Sequence, residues 1–150
     1  MSGVCTQVGI VEWARRTESA RAVEMQLAAK LGSWVPRVLP AAGKLLLARH
    51  ARHHAWHAEL WDGLVPVLHD QSTAPGVVEP RLREAAGVLA AAEVPLAVYD
   101  EVLPFLVATY RSWSVESTPV AERPMMRTLD LVLRDLDFDA QEGHDLFSHR

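Results

Sequence analysis

The chain contains a single cysteine, Cys5, so neither a disulfide framework nor a cysteine-based zinc site can form within one copy. It has only two lysines, Lys30 and Lys44, and a formal net charge of −4 at pH 7. Nucleic acid or an anionic membrane surface would call for a basic excess that is missing here, so neither is an expected partner. No stretch approaches the roughly 18 uninterrupted apolar residues of a membrane span. Met1 to Gly9 also lacks the basic-then-apolar order of a secretory leader. A cytoplasmic protein is therefore expected, neither secreted nor membrane-embedded. The period-two alternation of half-buried strands is missing as well.

What is present is helical patterning. The 150 residues, 49% of them hydrophobic, suit one domain over residues 1–150 that buries about two-thirds of its unfolded surface. From Ile10 to Trp34, a stripe of Ile10, Trp13, Thr17, Ala20, Glu24, Leu27, Leu31 and Trp34 keeps the three-and-four spacing of one helix face. Pro36 ends this helix and Pro40 opens a second, running to about Leu64. The link is short enough to make the two antiparallel neighbours. Two faces of the second helix compete for the core, one through Leu46, His53, Trp56 and Leu60, the other through Leu47, His54, His57, Trp61 and Leu64.

Residues His69 to Gly76 have the composition of a crossing loop. A third helical region keeps phase through Leu82, Ala85, Leu89, Ala92, Leu96, Tyr99, Leu103, Leu106, Tyr110 and Trp113. Pro95 and Pro104 interrupt it, so a short helix to about Ala92, a break at Pro95 and a kinked helix to Trp113 are predicted. Ser117-Thr118-Pro119 has the form of a helix opening, with Pro124 able to postpone the regular part. The last helix carries Met125, Leu129, Val132, Leu136, then Phe138 or Asp139, and Leu146.

Four of the seven histidines lie within eight residues, His50, His53, His54 and His57. On a helix His50, His54 and His57 share a face, and His53 joins His57 one step round. Two or three imidazoles with a carboxylate such as Glu24 or Glu101 form a donor set suited to zinc or non-haem iron. Glu24 is the one carboxylate inside the first helix's apolar stripe, and an ion pair with Arg49 or Arg52 would be its ordinary partner. The acidic run Asp135, Asp137, Asp139, Glu142 and Asp145 does not keep one helical face, so it is expected as solvent-facing charge near the end of the chain.

Four amphipathic helices with a long connection between the pairs describe an all-α, ferritin-like antiparallel four-helix bundle. The chain resembles the ferritin-like superfamily in this architecture. The resemblance implies a core site with one Glu on each of two helices and a Glu-x-x-His pair on each of the others. Glu24 matches the first carboxylate. His50-Ala51-Arg52-His53 and His54-Ala55-Trp56-His57 resemble the paired motif with its Glu replaced by His. In the fourth helix Asp130 and Asp135 are followed by Leu133 and Phe138 where a histidine would be needed.

The expectation is therefore a divergent bundle with an incomplete di-iron ligand set and no cofactor. It would bind a protein chain or small ligand, as a homodimer or a subunit of a biosynthetic enzyme. A second expectation is an iron-dependent oxidase or hydroxylase, or a site for another divalent metal, on His50, His53, His57, Glu24 and Glu101. A third is metal-free acid/base catalysis by His53, His54 and His57, with Glu24 setting a tautomer and Tyr99 alongside.

Overall fold

The computed structural model describes residues 8–66, 76–118, 120 and 122–149. Among these every regular element is a helix and there is no strand. Cys5, most of the expected crossing loop and Pro119 lie outside the described residues. Helix α1 spans Ile10–Trp34 and α2 spans Ala41–Asp62. Then come α3 (Pro80–Ala91), a single turn α4 (Pro95–Ala97), a π segment (Val98–Val102), α5 (Leu103–Glu116) and α6 (Arg123–Phe147).

Each boundary has a local cause. Pro36 stops α1 two residues after Trp34, and Pro40 occupies the position before α2. Helix α3 opens on Pro80, where a missing N–H is harmless, and the Glu79 carboxylate accepts the Leu82 N–H at 2.9 Å. The predicted break falls at Pro95, but Pro104 does not produce a second one. Instead the chain widens into a π turn, closed by Leu103 N–H donating to the Val98 carbonyl, and Pro104 falls in the first turn of α5. The expected helix opening at Ser117 is displaced: Ser117 ends α5, with its hydroxyl donating to the Trp113 carbonyl at 2.8 Å. Helix α6 begins at Arg123, with Pro124 in its first turn.

Helix α1 packs against α2 and α3, α2 against α6, and α6 against α4, the π segment and α5. The stripe foreseen in α1 is buried from Trp13 to Trp34, while Ile10 is exposed. For α2 the second of the two faces wins, through Leu47, His54, His57 and Trp61, and Trp56 is 43% exposed. Trp13, Trp34, Trp61 and Trp113 are core residues. Each large apolar side chain sealed in this way contributes about 1.5–3 kcal/mol.

Polar ties fix the order of the helices. The Ser19 hydroxyl on α1 accepts the Val78 and Glu79 N–H groups at 3.0 and 2.9 Å, seating the start of α3. Glu122, just before α6, accepts Trp13 Nε1–H at 2.6 Å and the Thr118 N–H. Arginines add paired contacts: Arg16 reaches Glu12 and Glu116, and Arg21 holds both Glu18 oxygens through Nε and Nη2. No helix among the described residues is long and apolar enough to cross a membrane.

Candidate functional site

The side of α2 facing the core brings histidines against carboxylates from α1 and α6, forming two groups one helical turn apart. Four residues separate His50 from His54, about 6 Å along the axis at 1.5 Å per residue. The inner group is Glu24, His54 and His57, and the second is His50, Asp139 and Glu142. In each, one ligand atom per residue lies within 4.8 Å of the others.

In the inner group Glu24, His54 and His57 are all fully buried. His54 Nδ1–H donates to Glu24 Oε2 at 2.6 Å, and the Tyr110 hydroxyl donates to Oε1 at 3.1 Å. His57 Nε2–H donates to Asp135 Oδ2 at 3.0 Å, whereas its Nδ1 stands 3.5 Å from Glu24 Oε2 without forming a hydrogen bond. His54 Nε2 and His57 Nδ1 are therefore buried polar atoms with no hydrogen-bond partner. Around them the Tyr110 ring packs against Trp61 and Trp113, with centroids at 5.3 and 5.2 Å, which excludes water from that side.

Burial by itself would raise the Glu24 carboxyl, but attraction to His57 and His54 and their contacts hold it at about 2. Burial would likewise push His57 down, yet Glu24 and Asp135 on its two sides hold it up at about 9. Without a metal, then, His57 is an imidazolium between two carboxylates. Burial, helped by Glu24, lifts the Tyr110 hydroxyl well above its ordinary value, so it stays protonated and remains a donor.

In the second group His50 Nε2 stands 3.2 Å from Asp139 Oδ1 and 3.1 Å from Glu142 Oε2, and its Nδ1 is 2.9 Å from the Tyr99 hydroxyl. Burial lowers His50 more than the two carboxylates raise it, so the ring is neutral near pH 7. Carboxylates only accept, so the single proton sits on Nε2 and the Tyr99 hydroxyl donates to Nδ1. Asp139 is fully buried and also accepts His53 Nδ1–H at 2.9 Å. Glu142 is paired with Arg49. Burial acts to raise Glu142, but hydrogen bonds from His50 and Arg49 hold it below the usual carboxylate range.

Tyr99 is held in place by α6. Its ring lies on Gly143, where an added Cβ would come within 2.2 Å of a ring carbon, and stacks on Phe147 at 5.9 Å between centroids. A surface groove lined by Arg49, Arg52, His53, Ala55, Trp56 and Glu59 reaches the same helix from outside, and the His53 side chain is 33% exposed there.

Of the residues singled out from the sequence, Glu24, His54 and His57 come together in one group. His50, His53 and Tyr99 come together in the other. Glu101 joins neither: it and Asp100 are exposed because the π segment turns Tyr99 and Val102 inward and these two acids outward, and Glu93 and Asp130 are exposed as well. Asp100 instead pairs with His144 at 2.8 Å. The partners of Glu24 are imidazoles and Tyr110 rather than Arg49 or Arg52.

The acidic run on α6 is the main correction. Asp135, Asp139 and Glu142 share one face at a spacing of four and three and meet the histidines of α2, while Asp137 stays in solvent and pairs with Arg111. A signal was present: Asp139 falls three after Leu136 and four before Gly143, inside the buried stripe of α6.

No family model matches the chain, and no curated protein or solved structure matches it either. The geometry therefore defines the class directly: an all-helical protein with a buried histidine and carboxylate cluster that could hold a metal.

Proposed function

We propose that the protein is a ferritin-like helical bundle whose core holds one divalent transition-metal ion on Glu24, His54 and His57. The observation that carries this reading is the unpartnered buried ring nitrogen His54 Nε2, beside the buried Glu24 carboxylate and a His57 Nδ1 that faces Glu24 at 3.5 Å without a hydrogen bond. Buried polar atoms normally find partners, and a cation is the partner such donors suit. Asp135 accepting the far N–H of His57 adds the carboxylate that orients a ligating imidazole and strengthens its basicity. It also balances charge, since two neutral imidazoles, one ligating carboxylate and Asp135 together match a divalent ion.

Two imidazoles and a carboxylate suit ferrous iron, manganese or zinc. Such an ion would supply redox or Lewis-acid chemistry, which fits the expectation of a metal-dependent oxidase or hydroxylase. The chain's own residues do the rest: Tyr110 holds the second Glu24 oxygen, Asp135 aims His57, and the Trp61 and Trp113 rings keep bulk water away.

The test is metal content by elemental analysis of untagged protein purified without chelator, beside Glu24→Gln and a His54→Ala, His57→Ala double variant. Near-stoichiometric metal in the wild type that disappears in both variants is the expected result. Folded protein that stays metal-free after incubation with ferrous iron, manganese and zinc would overturn it.

A second reading, a metal-free bundle that binds a partner chain or small ligand as a subunit of a biosynthetic enzyme, has one observation in its favour. The inner group is already charge-compensated, with a His57 cation between Glu24 and Asp135. The metal-free outcome of the same experiment supports it.

A further inference from the structure

We propose that His50, Asp139 and Glu142 form a second divalent-cation site, separate from the inner one, nearer the surface and weaker. Three observations carry it. The donor atoms converge from two helices, His50 from α2 and the Asp139 and Glu142 carboxylates from one face of α6. Asp139 is fully buried, yet among the described residues its polar contacts are with the imidazoles of His50 and His53 and with no arginine or lysine, so no fixed cation there offsets it. Finally, each donor already has an outer partner that would orient it: Tyr99 on His50, His53 on Asp139 and Arg49 on Glu142.

Two carboxylates and one neutral imidazole carry a total charge of −2, which a divalent ion balances. On binding, the ion takes the Nε2 lone pair of His50 as the ring's single proton shifts from Nε2 to Nδ1; the ring stays neutral, and the Tyr99 hydroxyl turns from donor to acceptor, a reversal that a hydroxyl allows. Nitrogen and oxygen donors in this ratio suit zinc, manganese or ferrous iron. No carboxylate is shared between the two groups, since Glu24 serves only the inner one and Asp139 only the outer, so the sites are two single-ion sites.

The three inner donors, Glu24, His54 and His57, are fully buried, whereas the Glu142 side chain is 29% exposed and engaged by Arg49. Arg49 competes with the cation for Glu142. Removing its charge as Arg49→Gln therefore tightens the outer site by about threefold to fivefold, the scale of a partly exposed ion pair, and leaves the inner site unchanged.

Cobalt(II) alone is the probe, followed by its visible absorption and by equilibrium dialysis on untagged, metal-free protein. The variants are Glu24→Gln, Asp139→Asn, Glu142→Gln and Arg49→Gln, with helical content checked by circular dichroism. The expected result is two ions per chain in the wild type, one lost in Asp139→Asn and in Glu142→Gln, and the other lost in Glu24→Gln. Since Glu142 is half-buried and Gln is isosteric, that variant stays informative should Asp139→Asn unfold.

Two ions retained in Glu142→Gln, or a single wild-type ion that Glu24→Gln removes, would overturn the proposal. One wild-type ion lost in Glu142→Gln and kept in Glu24→Gln would sustain the outer site and sink the inner one, so the two readings fail separately.

Discussion

The two histidine groups on α2 are built from the same residue types, yet they solve the burial of charge differently. In the inner group a cationic His57 is trapped between Glu24 and Asp135, and two ring nitrogens are left without hydrogen bonds. In the outer group every histidine nitrogen facing a carboxylate is bonded, His50 is neutral, and charge leaks to the surface through Glu142 and Arg49. The fixed cation makes the difference. Each group has a buried carboxylate and a partly exposed one, Asp135 at 33% and Glu142 at 29%. In the inner group the imidazolium itself is the cation those carboxylates hold; in the outer group Arg49 takes that part through Glu142. The inner group is thus tightly coupled and intolerant of change, and the outer one adjustable.

The largest effect separating them is expected at Glu24. In metal-free protein Glu24→Ala strands the His57 cation, the His54 N–H and the Tyr110 hydroxyl together, at a cost of about 3–5 kcal/mol. Urea unfolding followed by circular dichroism reads this directly, and a loss under about 1 kcal/mol would erase the distinction between the groups. Gly143→Ala comes next. It drives a methyl group into the Tyr99 ring and is expected to cost about 1–3 kcal/mol by overpacking, seen as a lower Tm.

Tyr99→Phe removes only the hydroxyl that donates to His50 and is expected to cost about 0.5–1.5 kcal/mol by the same unfolding measurement. At the bottom of the scale, Glu142→Gln in the half-exposed outer pair should change stability by about 0–1 kcal/mol. An effect there as large as that of Glu24→Ala would mean the two groups act as one network.

A pH series sharpens the same contrast. Glu24 titrates near 4.3 when unfolded and at about 2 in the folded protein. Its contribution is complete above the unfolded value and disappears as pH falls through about 2. His57 runs the other way, from about 6.5 unfolded to about 9 folded. Its contribution is complete below the unfolded value and is lost as pH rises through about 9. Metal-free protein should therefore be most stable between about pH 4.5 and 6.5 and weaken through alkaline pH. In Glu24→Gln the alkaline decline should shrink, because the main attraction holding the His57 proton is gone. An unchanged alkaline slope would show that His57 is not held by Glu24.

Much of the helical plan was legible. The three-and-four stripe located α1 to the residue, and the composition around Pro95 located the break before α4. Pro104 was harder, because a missing N–H can end a helix, kink it or be absorbed by a π turn. The choice depends on what Tyr99 and Val102 can bury on either side. The histidine cluster was equally plain, but its partners were not. Asp139 sits in a run of acids that alternates with other residues, and reading the run as a whole hid the three members that share a face with the α6 core.

Sequence alone determined that the chain is helical, that Glu24 lies in a core stripe, and that the histidines of α2 line one side of a helix. These follow from local periodicity, since a helix of fixed pitch places side chains three and four apart whatever surrounds it. Only the tertiary structure decided which face of α2 turned inward, that α6 and not the π segment brings carboxylates to it, and which histidine nitrogens are left without partners. Those outcomes depend on how far and at what rotation separate helices approach one another. That is settled by packing the whole core at once, and no single segment carries the information.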